Sequence, residues 1–414
     1  MRIRMASFFG LTVAVASILW AAAPAAAQQP AGQVVKLGEG ETLTITGFIS
    51  ATLFTNRNKF GAFGQGQNAE YAAQVADTTD RFFTDGDVRN TRINFTFNAG
   101  PVLGKWSPRG VLEADFFGQQ GALPFGDEQP QLRVRFAYAD LTNGRTTIRI
   151  GQYWSPLFGE TPVSLSHIAF PIGYGASGKV GWRFPGVFVY HDLTSGKPVV
   201  VQLQLAAFEG SGPANAAAGD TAPARQIGTG EASGLPQLEA LLNFTKRSAK
   251  LSWNVYVVGH VDWKDTSGTN RPGNNLTGVA FEVGGNIVPG KFSLRGNFYY
   301  GKAIGQQFGH ITQFAQGNGN IRGYGVWAQA GYDFTPRWSY FLYYGIDNPD
   351  EVRFAQDNPT AGALARQENQ DAAALLRFRA GRYALGLEYL RAMTRYNTGL
   401  TNAQQFALSV LYTL

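Results

Sequence analysis

The segment QFALSVLYTL, residues 405–414, alternates apolar side chains with small or polar ones. Phe406 and Leu408 fall on one face of an extended strand, whereas Ala407 and Ser409 fall on the other. An apolar face on a terminal strand would be an aggregation hazard at the edge of a soluble sheet. In an outer-membrane barrel the same strand pairs with the first strand and faces lipid. This segment therefore predicts a closed transmembrane β-barrel.

The amino-terminal region predicts export. Two arginines precede an apolar run, and the small residues up to Ala27 suit signal peptidase, so residues 1–27 are expected to be a cleaved signal peptide. A single-pass anchor is the alternative, but the apolar run is short for a membrane helix. A short periplasmic leader over 28–43 and a barrel domain over 44–414 complete the predicted organisation.

The composition excludes several other classes of protein. The 414 residues include no cysteine, so an exported chain of this kind has no disulfide framework. After residue 27 no stretch approaches the roughly 18 consecutive apolar residues of a membrane helix. A formal net charge of +6 is too small to suggest a nucleic-acid partner. These features favour a chain that crosses the bacterial outer membrane as strands.

Alternation with a period of two residues recurs in sixteen segments of the length that a tilted membrane strand needs. The predicted strands are 44–54, 89–98, 109–118, 131–141, 146–153, 179–191, 199–209, 236–247, 249–262, 276–287, 291–301, 323–334, 337–346, 374–381, 383–393 and 405–414. The predicted fold class is all-β, an antiparallel up-and-down transmembrane barrel of about sixteen strands.

Long and short connections alternate along the whole chain, which is typical of external loops and periplasmic turns in a membrane barrel. The predicted long loops are 55–88, 119–130, 154–178, 210–235, 263–275, 302–322, 347–373 and 394–404. Aromatic residues recur near the strand ends and are expected to form two interfacial girdles. The candidates are Phe54, Phe116, Tyr138, Trp154, Trp182, Trp263, Tyr300, Trp327, Trp338, Tyr389 and Tyr412.

Charged residues at inward-facing positions are the candidate functional site. Consecutive predicted strands contribute Arg92, Glu113, Asp115, Arg133, Arg135 and Arg149, and later strands contribute Arg295, Arg377 and Arg379. Unpaired guanidinium groups in a narrow pore attract anions. The alternative is that the arginines mainly pair with the two acids and stiffen the wall, because buried arginine is rarely unpaired.

The loop after the fifth predicted strand carries an apolar stretch, Ile168 to Ile172, together with Glu160 and His167. Such a stretch is expected to be buried, and folding back into the barrel would bury it. The loop would then constrict the pore, with Glu160 facing the arginines. Packing over the barrel mouth or against a neighbouring subunit is the alternative.

The first third of the chain resembles the trimeric outer-membrane porins of the DcaP-like and phosphate-selective types. The resemblance rests on GFI at 47–49, RINF at 92–95, LEADFFG at 112–118, LRVRFAY at 132–138 and IGQYWS at 150–155. It implies a sixteen-stranded homotrimer in outer-membrane lipid that passes small anionic or organic solutes. It also implies that Arg133, Arg135 and Arg149 form a basic wall opposite an acidic strand with Glu113 and Asp115.

Other functions have weaker support in the sequence. Four histidines and no Gly-x-Ser-x-Gly motif argue against a hydrolase, and no cofactor or metal is predicted. Acidic runs at Asp77, Asp80, Asp85 and Asp87 and at Asp347, Asp350, Glu351 and Asp357 could bind calcium, but solvated loop charge is the better interpretation. A closed surface barrel that binds partners through its loops remains the alternative to a diffusion channel.

Overall fold

The computed structural model describes residues 32–61, 71–74, 82–118, 130–194, 196–212, 227–248, 250–265, 276–313, 321–350 and 365–414. These residues form eighteen strands and a single turn of α-helix, α1 at Thr229–Ala232. The strands are β1 Gln33–Gly38, β2 Glu41–Arg57, β3 Phe82–Asp87, β4 Arg92–Asn98, β5 Ser107–Asp115, β6 Arg133–Asn143, β7 Thr146–Trp154, β8 Arg183–Asp192, β9 Val200–Phe208, β10 Gln237–Lys246, β11 Leu251–Lys264, β12 Leu276–Pro289, β13 Phe292–Lys302, β14 Arg322–Asp333, β15 Trp338–Pro349, β16 Arg366–Ala380, β17 Tyr383–Tyr396 and β18 Gly399–Thr413.

The strands form one closed antiparallel sheet. Each strand from β4 to β18 pairs with its neighbours in sequence, and β18 pairs with β2 to close the barrel. Both β3 and β4 pair with β2, so they are two parts of one barrel strand interrupted at 88–91. Counted in this way the barrel has sixteen strands, and the predicted fold class is confirmed.

The ends of several strands differ from the prediction. The predicted loop 394–404 is a tight turn, because β17 continues to Tyr396 and β18 begins at Gly399. The leader also contributes structure, since β1 pairs with the first residues of β2. The other connections on that side are long, and the short turns and both ends of the barrel sheet lie on the opposite, periplasmic side.

Side chains alternate between the interior and the outer surface. On β18, Phe406 and Leu408 are exposed on the outside, whereas Ala407 and Ser409 are buried inside. The same alternation exposes Leu112 and Val134 on β5 and β6. The apolar outer surface is therefore the one that the sequence pattern predicted. No helix in the described ranges is long and apolar enough to cross a membrane.

The candidate girdle residues that face outward all lie on the part of the barrel wall from β11 to β18, which corrects the prediction. Trp263, Tyr300, Trp338, Tyr389 and Tyr412 share the outward face of their strands with exposed apolar residues. The remaining candidates behave differently, because Phe116 follows the end of β5 and the others pack inside the barrel. These inward residues are Phe54, Tyr138, Trp154, Trp182 and Trp327. The described part of strands β4–β9 carries no outward tyrosine or tryptophan. Its outer face is built mainly from aliphatic and small side chains and phenylalanine, and its polar members include Gln152 and His191.

Candidate functional site in the barrel interior

Two acids of β5 hold two arginines of β6. The register of the strands places Asp115 opposite Arg133, whose Nη2 lies 2.7 Å from Asp115 Oδ2. Arg135 donates from Nε to Glu113 Oε1 at 2.8 Å and from Nη1 to Asp115 Oδ2 at 2.9 Å. Asp115 and Arg135 are almost fully buried. Both arginines are therefore ion-paired, as one of the two interpretations of the sequence expected.

Arg149 has a partner that the sequence reasoning missed. Its Nε and Nη2 donate to the two carboxylate oxygens of Asp140 at 2.8 and 2.9 Å. The guanidinium also lies 3.8 Å from the ring centre of Tyr138 and 4.0 Å from that of Tyr153. Asp140 faces Arg149 directly across β6 and β7. Its inward position follows from the alternation, but only the register shows that the two residues are opposite.

Arg92 is less well satisfied than the other predicted arginines. Its Nε lies 3.7 Å from Glu113 Oε1, too far for a hydrogen bond. Within the described residues, Nε and Nη2 are buried without a hydrogen-bond partner. The guanidinium lies 5.4 Å from the ring centre of Phe48. Arg92 therefore contributes positive charge that Glu113 balances only in part.

Arg183 is a further basic residue at this wall, and the sequence reasoning did not select it. Its guanidinium lies 4.6 Å from the ring centre of Trp154 and 4.4 Å from that of Trp182. The side chain is 4% exposed, and Nε and Nη1 have no hydrogen-bond partner in the described part of the chain. Arg183 is the first residue of β8, directly after the loop that folds around it. The alternation of apolar and polar residues therefore did not mark it as an inward-facing residue.

These five arginines are called the arginine wall below: Arg92, Arg133, Arg135, Arg149 and Arg183. They lie on β4, β6, β7 and β8, and the carboxylates that pair with them are Glu113, Asp115 and Asp140. Arginines therefore outnumber their paired acids in this wall. Because the unmatched charges are buried in a protein environment, their field is screened less than that of surface charges.

The segment 155–182, called the inserted segment below, runs through the barrel interior. Ser155 N donates to Trp182 O at 2.8 Å, so the two ends of the segment meet beside the arginine wall. Between them the segment forms hydrogen bonds with inward side chains of the eight strands β10 to β17. The partners include Glu239, Tyr256, Asn286, Asn297, Gln329, Tyr343, Asp371 and Glu388.

The apolar stretch of the inserted segment is buried inside the barrel. Phe170 and Ile172 are almost fully buried, and the ring of Phe170 meets that of Phe117 edge to face. Gly178 has a left-handed φ of 92°, and a Cβ there would lie 2.6 Å from the backbone of Val326. Only glycine allows this close approach of the segment to β14. Burial of the apolar stretch within the barrel matches the folded-back arrangement expected from the sequence.

Glu160 does not face the arginine wall as expected. One of its carboxylate oxygens accepts a hydrogen bond from Asn286 Nδ2 at 2.7 Å, and the other lies 3.3 Å from Arg295 Nη1. Asn286 and Arg295 lie opposite each other on β12 and β13. The inserted segment therefore crosses the barrel interior, and its Glu160 pairs with Arg295 on the far side.

Lys179 brings another cation into the interior on the inserted segment. Its Nζ lies 3.4 Å from the ring centre of Phe158 and has no hydrogen-bond partner among the described residues. Burial lowers the pKa of Lys179 to about 7, and the charges of Glu282 and Glu160 oppose that decrease. This lysine can therefore change its charge near neutral pH.

Two other external connections also turn inward. After β13, residues 303–313 pack on the inserted segment, where Gly181 N donates to Gln307 O at 2.7 Å. After β2, Ala72 N donates to Thr394 Oγ1 at 2.8 Å. Tyr71 and Ile311 form a buried cluster with Ala176 of the inserted segment. Three loops thus meet on the β14 to β17 side of the barrel, which no local sequence pattern indicated.

Arg377 and Arg379 lie apart from the arginine wall, near the periplasmic end of β16. Arg377 Nε donates to Ser339 Oγ at 3.0 Å, and its guanidinium lies 4.8 Å from the ring centre of Phe341. Arg379 Nε is buried without a hydrogen-bond partner in the described ranges. These two residues therefore add basic character on a different side of the barrel.

A cavity of about 240 Å³ remains between the strands β7 to β11 and the inserted segment. Tyr153 and Tyr190 line it on one side, and Phe158 and Glu160 of the inserted segment line it on the other. Asn254 contributes from β11. Its lining is mixed polar and aromatic, which is compatible with water or a small hydrophilic solute.

The histidine nearest to a catalytic arrangement is His167, and its geometry does not fit a triad. Ser166 Oγ and Glu388 Oε1 both approach Nδ1, at 2.8 and 3.6 Å. Nε2 is buried with no hydrogen-bond partner in the described part of the chain. A triad needs the serine at one ring nitrogen and the acid at the other.

The acidic runs do not assemble a metal site in the part of the chain that the structure describes. No group of three or more His, Asp or Glu side chains there could hold a metal ion. Asp347 is buried in the interior, where Tyr299 donates to it at 2.7 Å. The other candidates Asp77, Asp80, Glu351 and Asp357 lie outside the described residues.

The barrel is similar to those of solved outer-membrane channels. The structure of the outer membrane channel DcaP of Acinetobacter baumannii superposes with a TM-score of 0.67 at 20% identity, covering 93% of this chain and 100% of that one. The chain has the fold of an outer-membrane porin. An anion-selective porin from Comamonas acidovorans gives a TM-score of 0.56 at 12% identity, covering 90% of this chain and 100% of that one. The trimer form of OmpT from Vibrio cholerae gives 0.51 at 12% identity, covering 91% and 100%.

The similarity is one of structure. No protein-family model matches the sequence, and neither does any curated protein. The resemblance to DcaP-like porins that the sequence suggested is confirmed for the fold. The comparison leaves solute and selectivity to be argued from the interior of this barrel.

Proposed function

We propose that this porin-fold chain is a passive diffusion channel of the bacterial outer membrane for small hydrophilic solutes, with a preference for anions. The observation that carries the proposal is the excess of arginine over acid in the arginine wall. Arg92 and Arg183 in particular keep buried N–H groups without hydrogen-bond partners in the described residues. A positive, weakly screened wall concentrates anions in a pore. The anion-selective porin among the structural matches is consistent with this preference.

In this proposal the inserted segment sets the narrowest part of the channel. It occupies the β10 to β17 side of the interior and leaves the arginine wall as the other boundary. Solute would pass beside Arg92 and Arg133, which are partly exposed, whereas Arg135 is almost fully buried. It would then reach the cavity lined by Tyr153 and Tyr190, where the ion pair of Glu160 with Arg295 would reduce the repulsion of anions.

Planar-bilayer recording of the refolded mature protein tests the proposal. Single-channel steps with a reversal potential toward anions are expected in a salt gradient. Changing Arg92→Gln together with Arg183→Gln should lower the anion-to-cation permeability ratio by about twofold, because it removes charge that no acid fully balances. Arg322→Gln, at an outward position on the external rim, is the control and should leave the ratio unchanged.

Protein that is folded and inserted but shows no steps would contradict the channel. That result would favour the alternative, a closed barrel that binds partners through its external loops. The loop proposed for this role, 210–235, lies largely outside the described residues, so the recording is the more direct test. Sequencing the amino terminus of exported protein tests cleavage after Ala27.

We also infer a homotrimer whose subunits meet through strands β4–β9. The outer face of these strands lacks the tyrosine and tryptophan that mark a lipid interface, and it includes the small residues Ala137 and Ala139. Small side chains allow close packing of barrels. The structural match to the trimer form of OmpT supports a trimer.

The absence of native cysteine makes this interface easy to test. Ala139→Cys should be protected from a membrane-soluble maleimide, whereas Tyr300→Cys on the outward face of β13 should react. Equal labelling of both positions would contradict the proposed interface.

A further inference from the structure

A groove crosses the outer surface where the barrel closes. It has a volume of about 550 Å³, within the range of about 300–1,000 Å³ that is common for ligand sites. The small side chain of Ala374 on β16 leaves space between larger neighbours on both sides. Most of the outward side chains that line the groove are apolar or aromatic, among them Leu53, Tyr340, Ala374, Leu387, Phe406 and Leu408. Thr55 and Thr84 also line it, and their hydroxyls lie 3.1 Å apart.

An arginine lies at the external end of this groove. On the outward face of β17, Arg391 follows Tyr389 by two residues toward the external turn, and Tyr389 lines the groove. The strand register places Ala372 on one side of Arg391 and Gln404 on the other. Gln404 in turn faces Arg57 of β2.

Arg391 has no acidic partner in the described part of the chain. Its Nε is buried without a hydrogen-bond acceptor, and its outward cross-strand neighbours are an alanine and a glutamine. Glu368, an outward acid on the neighbouring strand β16, pairs with Arg395 at 3.5 Å. An outward arginine on a barrel is unfavourable unless it lies near the membrane interface or meets an anion.

The position of Arg391 along its strand suits the external interface. It lies eight residues from Tyr383, which is exposed at the periplasmic end of β17. With a strand rise of about 3.3 Å and a tilt of about 40°, this separation is about 20 Å along the membrane normal. The apolar belt of such barrels is about 25 Å tall. Arg391 is therefore expected near the head groups of the outer leaflet.

We propose that the groove binds lipid A, with an acyl chain against Ala374 and a phosphate on Arg391. The inference rests on the outer-membrane location proposed above. An apolar groove that ends in an unmatched cation complements a lipid with a phosphorylated head group. Arginine is suited to phosphate because its N–H groups form a fork that matches two oxygens. Gln404 and the hydroxyl of Tyr389, which are hydrogen-bonded to each other at 3.2 Å, can contribute further polar contacts.

The test measures lipid retention by native mass spectrometry of refolded mature protein in detergent. Lipid A and enzymatically dephosphorylated lipid A are the two probes. Wild type should retain one lipid A, and Arg391→Gln should weaken retention about tenfold, as expected for a lost charge-assisted contact. Ala374→Phe, which fills the groove, should weaken retention without changing charge. Arg322→Gln is the matched control and should behave as wild type.

Three outcomes would overturn the proposal. Equal retention of the two probes would show that the phosphate is not recognised. If Arg391→Gln retained lipid A as well as wild type does, Arg391 would not be the residue that binds the phosphate. Cross-linking of an Arg391→Cys variant to a second copy of the chain would show that another subunit covers the groove. Conductance should stay unchanged in Arg391→Gln. A negative result for lipid binding is therefore distinguishable from a negative result for the proposed channel function.

Discussion

The two sides of the barrel interior use their polar residues differently. From β4 to β8 the charged side chains bind one another, as Asp115 binds Arg133 and Arg135 and as Asp140 binds Arg149. From β10 to β17 the inward polar groups bind the inserted segment instead, and Glu239 and Glu388 accept from its backbone. The first side, called the self-paired side below, is therefore largely paired without the loop, although Arg92 and Arg183 keep N–H groups without partners among the described residues. The second side is satisfied only when the loop is in place.

The largest expected effect comes from breaking the self-paired side. Asp115→Asn removes the charge that two buried arginines share, and we expect the free energy of unfolding to fall by about 3–5 kcal/mol. Urea unfolding in detergent micelles, followed by tryptophan fluorescence, measures the change. Glu41→Gln, at an exposed position on β2, is the control and should change it by less than about 0.5 kcal/mol.

This geometry also sharpens an expectation from the sequence. The inward positions of Arg133 and Arg135 in the sequence predict that neutralising both shifts selectivity toward cations with folding intact. Because that change would remove both arginine partners of Asp115 and leave Glu113 with the more distant Arg92, we also expect a loss of stability. Unfolding data equal to those of wild type would show that the two acids are hydrated in the open channel.

The next effect comes from detaching the loop on the other side. Gly178→Ala places a Cβ against the backbone of Val326 and forces a left-handed φ on alanine, which should weaken the anchored arrangement by about 2 kcal/mol. Single-channel conductance should rise because the inserted segment leaves part of the lumen. Gly144→Ala, in the open periplasmic turn after β6, also has a positive φ but meets no neighbour, so it is the matched control. Equal conductance in both variants would contradict the constriction.

A smaller effect should follow from pH. The pKa of Lys179 is lowered by burial to about 7, so the lysine is charged below that pH and neutral above it. The preference for anions should therefore be greater at pH 6 than at pH 8. Lys179→Met should keep the high-pH ratio at both values, measured as reversal potentials. A dependence that persists unchanged in Lys179→Met would contradict this role of the lysine.

The smallest effect is expected at an arginine that belongs to neither arrangement. Arg377 has a serine but no carboxylate as its hydrogen-bond partner, so Arg377→Gln strands no acid. The free energy of unfolding should change by about 1 kcal/mol or less. Arg149→Gln, which leaves Asp140 without its partner, is the comparison and should cost more. Equal losses would mean that ion pairing does not distinguish these sites.

The sequence predicted the strands well because alternation is a local property. All sixteen barrel strands were located, and the inward faces of Arg92, Glu113 and Arg133 followed from the same pattern. Side-chain partners on neighbouring strands were harder to predict, because the pairing of Asp140 with Arg149 depends on the register of β6 and β7. Contacts made by returning loops were not predictable in detail, which is why Glu160 was assigned to the wrong side. The same limit explains Trp154 and Trp182, whose spacing suggested a girdle but whose rings pack with the inserted segment.

The first strand, β1, extends the seam at which the barrel closes. The hydrogen bonds of β18 to β2 end where Leu414 N meets Gly47 O at 3.0 Å, and below that point Val34 and Val35 continue the ladder along β2. A chain shortened before Glu41 would carry bare backbone at its periplasmic rim, an edge to which a strand of another protein could add itself. β1 thus covers a part of the periplasmic rim along β2 with which β18 does not pair.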